Sequence, residues 1–263
     1  MIRPESASPS VFITGASDGI GAALAKVYAN RGWRLGLLAR RGYALDSLAR
    51  SLPTSAAIYV ADVRDRAAVT SAATDFIERF GPPDVVIANA GVSAGNLTGL
   101  EDDIAMCEWI FDVNVLGMIR TFQPFLGAMQ ERKRGVLVGV ASVAAVRGLP
   151  GSGAYCASKS AMVTYLESLR VELRGSGVSV VTLSPGYVAT SMTARNPYRM
   201  PFMLPADEAA RQLALAVDAR KPFAVVPWQM AIVARVLRLL PSCLFDRLFE
   251  GVERKPRRSA PPP

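Results

Sequence analysis

Residues 10–21 read SVFITGASDGIG, and this stretch decides the fold. Five β-prone, mostly apolar residues lead into three glycines, Gly15, Gly19 and Gly21, and an amphipathic pattern follows over 19–31. Strand, glycine turn and helix, in that order, are the first half of a βαβ unit. The glycines let the backbone approach a pyrophosphate closely. The helix N-terminus offers free N–H groups and the positive end of its dipole. The spacing is G-x-x-x-G-x-G, not G-x-G-x-x-G, so its meaning comes from the strand before it and the helix after it. Gly15, Ser17, Asp18, Gly19, Ile20 and Gly21 are the candidate cofactor contacts here. Asp18 also reads as a helix N-cap.

Outward from this turn, apolar runs alternate with amphipathic ones. Strands are expected at 10–14, 34–39, 57–61, 84–88, 135–140 and 178–183, with a weaker one at 223–227. Several are nearly continuous apolar runs, as in parallel strands buried on both faces. Helical patterns cover 19–31, 65–80, 102–132, 155–174 and 206–219. The expectation is an α/β, single-domain Rossmann fold, a doubly wound parallel sheet of about seven strands flanked by helices. It would span 10–227, after a short polar extension at 1–9. An apolar helical segment at 228–251 and a basic, proline-rich tail at 252–263 follow; the tail has the composition of a disordered segment.

Composition narrows the function. The chain has 263 residues, 51% hydrophobic and 20% charged, as in an ordinary folded protein. It contains no histidine, which removes the usual base of serine and cysteine hydrolases and the commonest zinc ligand. No metal site is expected. The three cysteines are scattered and form no disulfide framework, which fits a reducing, cytoplasmic setting. The N-terminus shows no apolar core of a secretory signal, and no apolar run reaches the roughly 18 residues that span a bilayer. The net charge is +8, but residues 228–263 hold seven Arg/Lys against three Asp/Glu. Half the excess therefore lies at one end, and no nucleic-acid partner is expected, because such a binder carries its basic stripe through the fold.

The second strand ends in Ala39-Arg40-Arg41. An acidic residue at this place holds the ribose 2′-OH of NAD, whereas arginine accommodates a 2′-phosphate. NADP(H) is favoured, with Arg40 ahead of Arg41, and NAD(H) stays open. Further along, Tyr155 and Lys159 stand four residues apart, on one face of a helix. A phenol has a pKa near 10, and a neighbouring ammonium favours its ionised form.

The glycine turn at 14–21, Asn89-Ala90-Gly91, Ser142, Tyr155-x-x-x-Lys159 and Pro185-Gly186 come in this order over about residues 10–190. Together they resemble the short-chain dehydrogenase/reductase family. The resemblance implies a fold, a cofactor and a set of roles. Tyr155 exchanges a proton with the substrate oxygen, Ser142 holds that oxygen, and Lys159 supports Tyr155 and bonds the nicotinamide ribose. Asn114 holds a water in a proton relay. Asp62 and Val63 meet the adenine, although Asp62 also reads as a helix cap. Asn89, Ala90 and Gly91 pass beside the adenosine side of the cofactor. Pro185, Gly186, Val188 and Thr190 surround the nicotinamide. The family usually shows two serines where this chain has Ala141-Ser142.

The expected activity is NADPH-dependent reduction of a ketone or aldehyde. Alternatives are oxidation of a secondary alcohol and, from another class, a non-catalytic dinucleotide sensor, which the retention of Tyr155 and Lys159 argues against. Family resemblance implies a lid at 190–205. Met192, Met200, Met203, Met230, Tyr198, Phe202 and Leu204, with Leu149, Tyr187 and Val143, suggest an apolar pocket for a bulky substrate. Members of the family are commonly dimers or tetramers, here through 102–132 and 155–174. The stretch 228–251, which Pro241 should break, reads first as a cover over the lid, then as an oligomer contact or an element on an anionic membrane surface, with a lipid-like keto substrate in the last case.

Overall fold

The computed structural model describes residues 8–257. The features assigned above to 1–7 and 258–263, including Arg258 and the terminal prolines, lie outside the described residues. In chain order the strands are β1 (Ser10–Thr14), β2 (Arg34–Ala39), β3 (Ala56–Val60), β4 (Val85–Ala88), β5 (Gly135–Val140), β6 (Val178–Pro185), β7 (Val188–Ala189), β8 (Leu204–Pro205) and β9 (Phe223–Val226). The helices are α1 (Gly19–Asn30), α2 (Gly42–Ser51), α3 (Arg66–Phe80), α4 (Asp103–Phe111), α5 (Gly117–Glu131), α6 (Gly153–Glu172), α7 (Ala206–Asp218), α8 (Trp228–Leu239) and α9 (Ser242–Phe249). A π-helical turn, Asp112–Leu116, joins α4 to α5, and a 3₁₀ turn, Val143–Ala145, follows β5.

Seven strands form one sheet in the order β3-β2-β1-β4-β5-β6-β9, every pair parallel. The apolar runs explain this. Successive side chains point to opposite faces, so Val11 and Ile13 enter one core while Phe12 enters the other. On the first face Leu24 and Tyr28 of α1, Leu45 of α2 and Leu213 of α7 close over the sheet. On the second, Phe76 of α3, Phe125 of α5, and Met162 and Leu166 of α6 do the same. The rings of Phe76 and Phe125 lie 5.4 and 4.8 Å from that of Phe12. Each such side chain contributes about 1.5–3 kcal/mol by leaving water.

The chain runs outward from β1 to β3, then restarts at β4 and runs the other way. The order reverses between β1 and β4, and a ligand crevice opens beyond the carboxyl ends of strands at such a point.

Two elements differ from the sequence expectation. Helix α2 was not foreseen, since it buries only Leu45 and Leu48 and starts on a glycine without a side-chain cap. The single stretch expected at 102–132 is interrupted by the π turn. At Pro241 the chain does break, between α8 and α9.

Candidate active site

The glycine turn is held from three sides. Gly15 and Gly19 take positive φ, 67° and 54°. A Cβ on Gly15 would stand 2.7 Å from the Cα of Ala90, so the turn touches the end of β4. Asn89 secures that contact: its Nδ2 donates to the carbonyls of Thr14 (3.1 Å) and Gly15 (3.2 Å). Asp18 caps α1 by accepting from the Gly19 N–H at 2.6 Å, and it also accepts from the Ser191 hydroxyl. Burial raises its pKa, but the bonds from Ser191, Gly19 and Arg41 outweigh this and keep the carboxyl below its usual range. Ile20 packs on the first core. At Gly21 a Cβ would collide with the Gly15 carbonyl and stand 2.5 Å from Asn89 Nδ2. Gly21→Ala should therefore cost about 1–3 kcal/mol and weaken dinucleotide binding at least tenfold, checked by thermal melting and cofactor titration. Unchanged binding would show that the turn is only structural.

The two arginines part company. Arg41 donates to Ser17 Oγ from Nη2 at 3.1 Å and pairs with Asp18 at 3.4 Å, so it leans on the glycine turn. Arg40, the one favoured from sequence, sits 3.5 Å from Asp62. Asp62 in turn accepts from Arg64 Nε at 3.0 Å and from the Arg64 N–H at 2.9 Å. Burial raises the Asp62 pKa, but Arg64 and Arg40 outweigh it and hold the acid low. One correction follows. The cap of α3 is Asp65, accepting from Ala68 N–H, not Asp62. The Asp62 carboxylate serves Arg64 and lies beside Arg40. Val63 is buried against Gly117, so its side chain belongs to the core.

At the carboxyl ends of β4 and β5, Ser142, Tyr155 and Lys159 meet. Ser142 follows β5. Its Oγ accepts from Ala144 N–H at 3.1 Å, capping the 3₁₀ turn, and leaves its own proton to donate. Ser142 also acts on the Tyr155 phenol, favouring its ionised form. Lys159, one turn along α6, is 4% exposed, and its Nζ donates to Val140 O at 2.9 Å and lies 5.9 Å from the Tyr155 ring centroid. Gly91 leaves space beside this Nζ: a Cβ there would stand 3.4 Å from it.

Charge at this pair differs from expectation. Burial pushes the Tyr155 phenol up to about 12, with Cys156 and Tyr187 adding to it and Ser142 opposing. Burial brings the Lys159 ammonium down to about 7. The expected lowering of the phenol by Lys159 does not prevail, because desolvation exceeds the pull of a cation that bonds Val140 instead.

Asn114 stands in the π turn, a distortion frequent at functional sites. Its Oδ1 accepts from Val92 N–H (2.8 Å), and its Nδ2 donates to Val92 O (3.1 Å) and Ser158 Oγ (2.9 Å). The amide is committed to protein groups, which leaves little of it for a water. It ties the loop after Gly91 to α6, next to Lys159.

Pro185 ends β6, and Gly186 donates to Val226 O at 2.8 Å beneath Met230. Val188 is buried in β7, which pairs with β8, so the segment between leaves and returns at one place. Thr190 roots this loop against Gly19, where a Cβ would stand 2.9 Å from the threonine methyl. The pocket expectation is corrected in part. Met192, Phe202 and Met203 are exposed, Met230 fills in under Gly186, and Leu204 packs on the first core. Val143, Leu149 and Met200 are part-buried, and Tyr187 and Tyr198 lie with their rings 6.5 Å apart and near Tyr155.

Sequence reasoning missed the last described stretch. Residues 254–257, read as part of a disordered tail, are docked instead. Arg257 makes two 2.8 Å bonds to the buried Asp103, and Gly95 N–H donates to Pro256 O. Lys255 Nζ donates to Ser93 Oγ at 2.6 Å and lies 5.4 Å from the Tyr155 ring centroid. Asn96 was also unforeseen; its Oδ1 accepts from Ala154 N–H at the start of α6. No local pattern marks such pairs, because the partners are far apart in sequence.

Residues 9–199 match the family described as short chain dehydrogenase. An "uncharacterized oxidoreductase" of Myxococcus xanthus is 38% identical over 244 residues, 90% of this chain and 94% of that protein. An alcohol dehydrogenase structure from Thermococcus sibiricus, complexed with 5-hydroxy-NADP, is 26% identical with a TM-score of 0.74, covering 83% of this chain and 96% of that one. A short-chain dehydrogenase/reductase structure from Burkholderia phymatum, in complex with NAD, has a TM-score of 0.77 at 24% identity and covers 99% of each chain. The reversal of strand order beside a glycine turn, with a serine, tyrosine and lysine converging on it, thus has its explanation in descent: the chain belongs to the short-chain dehydrogenase family and is an NAD(P)-dependent oxidoreductase of carbonyl or alcohol groups.

Proposed function

We propose that the protein reduces a ketone or aldehyde with NADPH, Tyr155 giving the proton to the carbonyl oxygen. The observation that carries this reading is the Ser142–Tyr155–Lys159 convergence at the strand ends. A bound nicotinamide supplies the hydride; the chain positions, polarises and handles the proton. The Ser142 hydroxyl, fixed by Ala144, donates to the oxygen on which charge develops. A phenol held near 12 is fully protonated at neutral pH, which suits an acid in reduction better than a base in alcohol oxidation. Lys159 replenishes and orients, while Asn114 keeps α6 in register with the Gly91 loop.

The dinucleotide fits the residues present. The turn 15–21 is bare of side chains where Gly15 and Gly21 pack on the backbone, and α1 offers its N-terminus. Val188 and Thr190 would border the nicotinamide, and Asn89 to Gly91 the adenosine side. NADP(H) preference rests on Arg40 and Arg41 directly after β2, where the sequence places no acidic residue, although the two arginines pair with Asp62 and Asp18. A bulky, apolar substrate is read from Tyr187 and Tyr198 beside Tyr155 under the loop 190–203.

Fluorescence titration tests the cofactor. NADPH should bind at least tenfold more tightly than NADH, and Arg40→Ala and Arg41→Ala should each narrow the gap. Equal affinities in the wild type, unmoved by either substitution, would assign NAD(H) instead.

A further inference from the structure

The helix α8 is amphipathic in the wrong sense for a helix that packs only on its own fold. At about 100° per residue, Met230 and Ala234 face inward and are buried. Trp228, Ile232, Val236 and Leu239 fall on the opposite side within one narrow stripe. All four are exposed, Trp228 by 67% and Leu239 by 77%. Helix α9 continues the pattern: Phe245 is buried, while Leu244 and Leu248 stand in solvent, Leu248 by 64%. An apolar surface of this kind marks a place of contact.

The charges beside it select the partner. Arg235 and Arg238 flank the stripe of α8, a helix with no Asp or Glu, and Arg247 flanks Leu244 and Leu248 on α9. All three arginines are exposed and make no ion pair among the described residues. The acids of α9, Asp246 and Glu250, point roughly the opposite way from Leu244 and Leu248. A second copy using the same face would bring the same unpaired arginines and no carboxylate of that face to meet them. An anionic lipid surface meets both requirements at once: acyl chains for the stripe, headgroup phosphates for the arginines.

We propose that the α8–α9 face is an interfacial docking element for anionic membrane. It lies on the surface and does not cross it. Among the described residues no single helix is long and apolar enough to span; α8 and α9 together have the length and apolar composition for it, but they meet at a 118° bend. The face is joined to the rest of the site region: Arg147, just after the 3₁₀ turn, donates to Leu240 O at 3.1 Å and stacks 4.3 Å from the Phe245 ring centroid. This inference does not depend on which cofactor or substrate the protein uses.

Sedimentation with vesicles tests it. The full chain should bind phosphatidylglycerol–phosphatidylcholine vesicles at least tenfold more tightly than pure phosphatidylcholine, and less tightly as salt is added. Ile232→Asp with Leu239→Asp should abolish binding while thermal melting stays unchanged, since both positions are exposed. Arg235→Glu with Arg238→Glu should weaken it at least tenfold. Absence of binding to the anionic vesicles, or binding indifferent to the aspartates, overturns the proposal. So does a dimer that the aspartates dissociate in a protein that binds no vesicle, which would give the face to a second copy.

Discussion

Tyr155→Phe should lower turnover of a carbonyl substrate by about 10²–10⁴-fold, the range a positioned general acid contributes, while NADPH affinity changes little. The ring stays, so packing is kept; only the phenol hydroxyl, on which Ser142 acts, is removed. A single hydrogen bond is worth about 1 kcal/mol in stability, so the variant folds and its kinetics can be read. Ser142→Ala should act in the same direction, by about 10²–10³-fold, through loss of the donor to the developing oxyanion. Steady-state kinetics with single-turnover mixing separate chemistry from product release. A Tyr155→Phe enzyme within tenfold of the wild type would remove Tyr155 from the proton step.

Lys159→Met should cost activity at least a hundredfold and also remove a component of pH-dependent stability. In the folded chain the Lys159 ammonium titrates near 7; unfolded, its ordinary value is 10.5. Between these values the unfolded chain holds a proton that the folded chain has released. Stability from this group therefore rises with pH across that window, by up to about 1.4 kcal/mol per pH unit. Below pH 7 the buried ammonium is charged and its burial is costly; above 10.5 both states are neutral. Tyr155 has the opposite sign: its folded value near 12 exceeds 10, so its contribution falls between pH 10 and 12. Urea melts of wild type and Lys159→Met at pH 7, 8, 9 and 10 isolate the lysine, because the other groups cancel in the difference. The wild type should gain on the variant at each step. A flat difference would mean that Lys159 keeps its proton through this range.

Much of the fold lay in short patterns. The strand, glycine turn and helix at 10–30 and the apolar runs of β4, β5 and β6 depend on neighbours in sequence, and the sheet follows from them. The four-residue spacing of Tyr155 and Lys159 shows a shared face for the same reason. What was hidden involves distance or solvation. Arg64 reaching Asp62, Arg257 reaching Asp103, and Asn114 bridging Val92 to Ser158 are decided by tertiary packing. The methionines of the 190–205 segment illustrate another limit, since an apolar residue in a loop gives no sign of which way it turns. The ionisation of Tyr155 was misjudged because a sequence shows a neighbouring cation but not the water both groups have lost.

Thr190 touches Gly19, and Ser191 bonds Asp18, so the root of the 190–203 loop is fastened to the glycine turn. On the proposed reading, dinucleotide and substrate therefore share one piece of backbone. Energetic coupling between sites is reciprocal. A compound lodged beneath the loop that changes the grip on the dinucleotide must have its own grip changed by the same factor.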